Sequence, residues 1–374
     1  MDNQTTKASG IVGAAANATQ WSSLVFLSLS LLTFWYLLVH FVSPVRGYPG
    51  PFLAKYTNLW RTWHASRRNI HLVYQELHRK YGPIVRVGPN VLDVDLPEII
   101  KPAFNDIKGD WQKTDFYHSS SAQVSGKLIF NLFSETDAKK HAREKRPVAK
   151  YYSKGAVAAL EPHVDAMISK LCNDRDYHDP EEPDFLDHFI EAKKADPEDV
   201  DDAQIVSWLM INVLAGADTT ALALKTAFYY CLRDERIWQR LRKELLAAGS
   251  REATPVPYGV AHSAPYLEAV VREALRILPG ISMPLERYVP KDGYRLSDGS
   301  FLPGGSTVGV NPYLIARNKE IYGDDVEEFR PERWLRDEAT GETQEQFEAR
   351  LAAMNSVDLT FGGGRRLCIV ENYQ

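Results

Sequence analysis

The residues best placed to do chemistry lie near the end of the sequence, in Phe361-Gly362-Gly363-Gly364-Arg365-Arg366-Leu367-Cys368. Glycines lack β-carbons and reach backbone angles closed to other residues, so such a loop can lie flat against a large planar ligand. A single cysteine after it can give one anionic sulfur to an iron atom, and the nearby Arg366 can neutralise a carboxylate. Read without a ligand, the same run is a glycine-rich turn and a buried thiol. A second group is Ala215-Gly216-Ala217-Asp218-Thr219-Thr220. Small residues there let a flat ligand or a diatomic gas approach the backbone. Asp218 and Thr219 set an acid beside a hydroxyl, the pairing needed to deliver protons to bound dioxygen. The alternative is a polar patch facing water or another helix, but a buried unpaired aspartate is costly, which favours a site. Thr219 can also bond back to a carbonyl one turn earlier and bend the helix. A third group pairs Glu273 with Arg276, three apart on one helical face. That spacing is weak alone, since Glu327 and Arg330 repeat it, but Phe329-Arg330-Pro331-Glu332-Arg333-Trp334 follows downstream.

These groups need elements to hold them. Residues 71–80 read as a helix, and Ile84–Val87 and Val91–Val94 as two strands joined by Gly88-Pro89-Asn90. Trp111 to Ser121 reads as a long loop, and Ser134 to Tyr152 as a basic helix carrying His141, Arg143, Lys145 and Arg146. The stretch from Asn173 to Asp202 is acid-rich. From Gln204 to about Leu232 the chain is apolar on all sides, the pattern of a helix buried through a domain centre, and Asp218 and Lys225 argue against a membrane span. Tyr266 to Leu278 is helical, and Tyr294 to Asn311 suggests short strands with glycine-rich turns.

The 374 residues carry a net charge of −5, which gives no reason to expect nucleic acid as a partner. Three cysteines, Cys172, Cys231 and Cys368, are too few and too scattered for a disulfide framework or a zinc site. Trp21 to Val42 holds no charge and is long enough, at roughly 30 Å, to cross the hydrocarbon layer of a bilayer. A cleaved signal peptide fits less well, because the stretch is too long and no small-residue cleavage site follows it. Asp2 and Lys7 precede it, whereas Arg46, Lys55, Arg61, Arg67 and Arg68 follow before any acid, which places the bulk on the cytosolic side. The expected organisation is a lumenal N-terminus over 1–20, a transmembrane helix over 21–42, a stiff Pro/Gly hinge over 43–52 and a cytosolic domain over 53–374. Asn3-Gln4-Thr5 and Asn17-Ala18-Thr19 are glycosylation sequons on the lumenal side.

In order and spacing, these motifs resemble those of the cytochrome P450 family: F-G-x-G-x-R-x-C, A-G-x-D-T-T, and the E-x-x-R pair with its downstream arginine. The resemblance covers most of the chain after Tyr48. Tyr48–Pro51, Lys113-Thr114-Asp115-Phe116-Tyr117 and Phe329–Leu335 are most similar to fungal enzymes of the pisatin-demethylase type. It implies a mainly α fold with a small β portion (α+β), a haem-binding domain behind a transmembrane helix. It implies haem b (iron-protoporphyrin IX) with Cys368 as the axial ligand of its iron, and Phe361, Gly362 and Gly364 shaping the loop. Arg366, Arg287 and one of Lys145 or Arg146 are similar to groups that hold the haem propionates, although a solvated basic face suits Lys145 and Arg146 equally. Glu273, Arg276 and Arg333 match a buried charge triad that steadies the cysteine loop, and Thr219 and Asp218 match residues of oxygen activation. The implied activity inserts one oxygen atom from dioxygen into a small apolar organic substrate, in fungal secondary metabolism, with contacts near Ile281, Met283 and the Phe116–Ser121 loop. Electrons would come from NADPH through NADPH-cytochrome P450 reductase, because no nucleotide-binding G-x-G-x-x-G followed by an acid occurs here. The implied location is the endoplasmic reticulum membrane, single-pass, with membrane lipid as a partner.

Two departures accompany the resemblance. After Leu171 the chain passes quickly to Asp184-Phe185-Leu186, where the family has several helices including a lid, and it ends at Gln374 soon after the ligand. Val370 stands where the family has a small residue. The expectation is therefore a shortened member, with two alternatives: a catalytically impaired form with weak or no haem binding, or a haem-dependent isomerase or dehydratase.

Overall fold

The computed structural model describes residues 3–106, 110–124, 126–153, 155–156, 185–249 and 256–369. Cys172, the stretch after Leu171 and Val370 lie outside these residues. The described chain is mainly helical with three small sheets, in keeping with the expected class.

The main sheet is built from β1 (Ile84–Gly88), β2 (Val91–Val94), β5 (Leu285–Tyr288) and β8 (Thr307–Val310), in the order β1-β2-β8-β5. β1 and β2 form the expected antiparallel hairpin, β2 runs parallel to β8, and β8 pairs antiparallel with β5, Arg287 facing Val308. Two further hairpins, β3 (Ala122–Val124) with β4 (Lys127–Ile129) and β6 (Tyr294–Arg295) with β7 (Phe301–Leu302), complete the strands. The sheet buries Leu92, Val94, Leu285, Val308 and Val310 in one cluster with Phe104, Ala269, Trp334, Met354 and Leu359. That cluster reaches the chain entering the glycine-rich loop.

Several elements differ from expectation. The basic helix is shorter, Ala138–Lys145, starting where the Asp137 carboxylate caps the amides of Lys139 and Lys140, with a 3-10 turn at Ala149–Tyr152 after Pro147. The N-terminal helix runs from Asn3 to Val42, so the backbone at Asn3 and Asn17 is helical. Its apolar part, Ser23–Val39, lies within the expected 21–42 span. Segment 43–52 is not a hinge standing clear of the globule. Val45 is fully buried in the main cluster, the Tyr48 hydroxyl donates to the Phe301 carbonyl at 2.7 Å, and the buried Arg86 guanidinium donates to Ser43 Oγ at 3.0 Å. The two prolines set an extended path, and the core supplies the docking.

The largest departure concerns the apolar helix, observed as Asp202–Arg233. Its first turns bury Ile205 and Trp208 and its last bury Thr226 and Cys231, but Val213, Leu214, Phe228 and Leu232 are exposed. Only 17% of its apolar window is buried, so it does not run through a domain centre. An apolar surface states a need for cover, and among the described residues the Val213–Leu214 face at the middle of this helix is left exposed. By length and composition it could cross a membrane, at mean hydropathy 1.4, yet both ends pack into the globule and its middle carries Asp218.

Candidate active site

The glycine-rich run forms a closed loop whose shape requires its glycines. The amide of Gly362 donates to the Leu359 carbonyl and that of Cys368 to the Phe361 carbonyl, both at 2.9 Å. Gly364 sits at φ +56°, and a β-carbon there would run into the Phe104 carbonyl oxygen, so only glycine lets the loop press against the end of helix Ile100–Phe104. Phe361, Gly362 and Cys368 are half-buried, as is Ile369, which packs against the cluster of Val148, Phe189 and Trp208. The loop thus bridges the sheet side of the molecule and the start of the long helix.

Beside the loop stands a group of cations. Arg366, half-buried, donates to the carbonyls of Glu135 (2.8 Å) and Thr136 (3.1 Å) at the entry to the basic helix. Arg287, buried in β5, donates to the Tyr117 hydroxyl at 3.2 Å and lies over the Phe104 ring at 4.6 Å. A backbone bridge between Lys113 and Arg287 extends the sheet edge by one residue and delivers the Lys113 ammonium to the same place. That ammonium is buried, donates to the Phe133 carbonyl at 2.6 Å and faces the Tyr117 ring at 4.1 Å. Among the described residues no carboxylate lies within ion-pairing distance of Lys113, Arg287 or Arg366.

The electrostatics record that imbalance. Burial, then the charges of Arg287 and Arg366, push Lys113 well below its ordinary value. Burial and Arg287 bring Arg366 down to about 10, despite opposing attraction from Glu135 and Asp137. His141, buried in the basic helix, is brought down to about 3 by burial and then by Arg366, Lys113 and Lys145. A histidine held neutral in the fold but protonated in the unfolded chain stabilises above its ordinary value of 6.5, and loses that stabilisation as pH falls toward 3. His141→Gln should therefore flatten the acid limb of a thermal-melt profile between pH 6.5 and 4, by at most a few kcal/mol. An acid limb identical to that of the parent would show the imidazole to be indifferent.

Of the residues expected at the propionates, Arg366 and Arg287 meet here, Lys145 is half-buried within electrostatic reach of His141, and Arg146 is exposed. Lys113 is not among those expected. Its signal is its place in the Lys113–Tyr117 run, but only the strand bridge to Arg287 shows why a buried lysine belongs there. The donor set suits the edge of a planar ligand carrying two carboxylates: largely buried cations in want of counter-charge, next to a flat loop ending in a thiol.

Thr219 lies mid-way along the long helix. Its hydroxyl donates back to the Ala215 carbonyl at 2.7 Å, the bond the sequence anticipates. Its side chain packs on Gly280, where a β-carbon would come within 3.0 Å of Thr219 Cβ, so glycine permits the contact that ties this helix to the Ile281–Met283 segment. Asp218 is exposed rather than buried, because its side of the helix is uncovered, so the argument from a costly buried acid does not apply to it. Ile281 and Met283 are half-buried against the two sheet-side clusters.

The charge triad is assembled and almost completely buried. Arg276 forks onto Glu273 with contacts of 2.7 and 2.8 Å, and Arg333 Nε lies 3.4 Å from the same carboxylate. Glu273 also accepts from the Arg330 amide and Trp334 Nε1, both at 2.9 Å. Arg276 further donates to the carbonyls of Ala316, Val326 and Glu328, and Arg333 pairs with Asp325 at 2.7 Å. The cluster joins helix Pro265–Ile277 to the turn Pro331–Trp334, whose Trp334 packs in the same core cluster as Leu359 at the mouth of the loop.

Comparison with known proteins bears on the whole of this arrangement. The family model described as Cytochrome P450 matches residues 147–372, from just after the basic helix through the cysteine loop. A cytochrome P450 monooxygenase of Aspergillus candidus, cfoH, is 35% identical, in an alignment covering 98% of this chain and 87% of that protein. That alignment runs over 474 positions against the 374 residues here, so about 100 positions stand opposite gaps within the chain. A cytochrome P450 monooxygenase of Penicillium aethiopicum, vrtE, is 28% identical over 91% of the chain and 84% of that protein. Pisatin demethylase of Fusarium vanettenii is 27% identical over 90% of the chain and 83% of that protein. With the matched region enclosing both the triad and the cysteine loop, the chain belongs to the cytochrome P450 family of monooxygenases.

Proposed function

We propose that this chain is a haem-thiolate monooxygenase that oxidises a small apolar organic molecule in fungal secondary metabolism. One observation carries the reading: Lys113 and Arg287, both buried, gather with half-buried Arg366 without carboxylate partners, among the described residues, beside a flat loop that ends at Cys368. Haem b fits this donor set, and when bound it supplies the activation of dioxygen. Cys368 Sγ would ligate its iron and give it electron density. Lys113, Arg287 and Arg366 would hold its two carboxylates by charge-assisted hydrogen bonds. Thr219, whose proton is committed to the Ala215 carbonyl, keeps its oxygen lone pairs for a proton-bearing water. Asp218, one residue away and open to solvent, would take protons from bulk water and pass them toward that hydroxyl. Electrons would come from NADPH through cytochrome P450 reductase on the cytosolic face of the endoplasmic reticulum, where residues 21–42 would anchor the chain. On that topology Asn3 and Asn17 would lie in the lumen.

Titrating the full chain with haem and with haem dimethyl ester tests the carrying observation. The ester has the same ring and metal but lacks the carboxylates. Haem should bind at least about tenfold more tightly, since each lost charge-assisted bond is worth roughly 1.5–3 kcal/mol. Equal affinity would mean that the cations serve another purpose.

A second reading is favoured by a separate observation. The exposed face at the middle of the long helix, with Val213 67% exposed and Leu214 57% exposed, leaves one side of the helix near Thr219 open to water. The aligned relatives have about 100 positions that this chain lacks. Catalytic sites of this kind depend on excluding water, so the shortened chain would hold haem weakly and turn over poorly. Stoichiometric haem with NADPH- and oxygen-dependent turnover would eliminate this second reading.

A further inference from the structure

We propose that two copies of this chain pair through the long helix Asp202–Arg233, antiparallel about a two-fold axis between Ala217 and Ala221. The proposal goes beyond the haem reading and stands whether or not haem is bound.

The exposed part of this helix is ordered rather than scattered. Met210, Leu214, Ala217, Ala221, Leu224 and Phe228 follow one another at steps of four, three, four, three and four. At about 100° per residue, those steps keep all six within a strip roughly 80° wide. Its large members stand in solvent, with Met210 46% exposed, Leu224 55% and Phe228 58%, and Leu214 is exposed with them. The opposite face is committed to the globule, since Thr219 packs on Gly280 and both Trp208 and Thr226 are buried. The strip is therefore left over from the packing of the described residues, and an apolar surface of this length marks a contact.

The pattern of the strip states what it meets. Its steps read the same from either end, and so do its sizes: two large, two small, two large. A two-fold interface requires a surface that is complementary to itself in this way. Turned end for end, a second copy sets the partner's Ala221 against Ala217, the partner's Leu224 against Leu214 and the partner's Phe228 against Met210, each contact made twice. The central alanines let the two backbones approach, and the larger side chains close over both ends. With Val206, Val213 and Leu232 beside it, the strip presents apolar area on the order of 700 Å² per copy, near the roughly 800 Å² per partner of a standard interface.

Charge selects the same arrangement. Asp218 and Lys225 are both exposed and lie seven residues apart along one flank of the strip. In an antiparallel pair like flanks meet, so each Lys225 stands about 7.5 Å along the axis from the partner's Asp218, an offset its long stem can lean across. A parallel pair would bring unlike flanks together and leave both charges unmatched. Hydrocarbon would offer neither charge a partner, whereas a second copy offers one to each. The pairs lie at the rim, so Asp218 keeps its contact with water.

The test uses the full chain in detergent micelles, with its mass measured by sedimentation. The parent should be a dimer and Phe228→Glu a monomer, with a melting profile close to that of the parent because Phe228 faces solvent. Lys225→Glu should weaken the dimer several-fold, and adding Asp218→Lys should restore it. Register is read by mild oxidation, with the parent and its own cysteines as the blank. A mixture of Leu214→Cys and Leu224→Cys chains should form an interchain disulfide, whereas Leu214→Cys alone should form far less, its two copies standing about 15 Å apart along the axis. A monomeric parent would overturn the proposal and leave the strip to lipid or another protein. A dimer indifferent to Phe228→Glu would overturn it in favour of pairing elsewhere, such as through residues 21–42. Equal cross-linking by Leu214→Cys alone would overturn the antiparallel register.

Discussion

Cys368→Ala should abolish the thiolate-type long-wavelength band of the reduced, carbon-monoxide-bound chain while leaving its melting profile close to that of the parent. The backbone supplies contacts that close the loop. Its closure rests on the Cys368 amide bonding the Phe361 carbonyl and on the seating of Gly364 against Phe104, and alanine preserves both. What the substitution removes is, among the described residues, the one thiol beside the cationic group. Cys231 cannot substitute, because it is buried among Ile237, Leu241, Tyr266 and Val270, where burial raises its pKa and disfavours the thiolate. Haem could still be retained by Lys113, Arg287 and Arg366, so a nearly normal haem content with a lost thiolate band is the expected combination. An unchanged band in the variant would remove Cys368 from the metal.

The same loop shows what sequence can and cannot convey. Its chemistry is legible because it is local: glycines, arginine and cysteine stand within eight residues, and the backbone angles follow from residue type. The triad is nearly as legible, since Glu273 and Arg276 share a helix turn and Arg333 lies in a short run of its own. The cationic group is legible only in part. Lys113 and Arg287 are 174 positions apart and meet through a strand bridge, a pairing no local pattern encodes. The long helix departs from expectation for a different reason. Its all-round apolarity is a statement about surroundings, and the surroundings belong to other segments, so burial does not follow from the helix itself. Segment 43–52 makes the converse point: its prolines describe a path, whereas Val45 and Tyr48 decide that the path is pinned to the core.

Arg276→Ala should cost about 3–5 kcal/mol, the range for removing one partner of a buried charge pair, and yield little soluble, haem-loaded protein. The cost has two parts that can be separated. Glu273, fully buried, would lose its forked partner and keep only Arg333 at 3.4 Å and the donors from Arg330 and Trp334. The carbonyls of Ala316, Val326 and Glu328 would lose their common donor as well. Arg276→Lys keeps the charge but cannot fork across two carboxylate oxygens and three carbonyls, so it should recover only part of the loss. Glu273→Gln, which leaves two arginines facing a neutral group, should fall between the two, because Asp325 still balances Arg333. The damage should extend beyond stability. Trp334 shares one core cluster with Val357 and Leu359, and the Leu359 carbonyl anchors the amide of Gly362, so a loosened Pro331–Trp334 turn reaches the cysteine loop through that cluster. Haem occupancy should accordingly fall in step with melting temperature across Arg276→Lys, Glu273→Gln and Arg276→Ala. A stable, fully loaded Arg276→Ala protein would show that the cluster neither holds the fold nor steadies the loop.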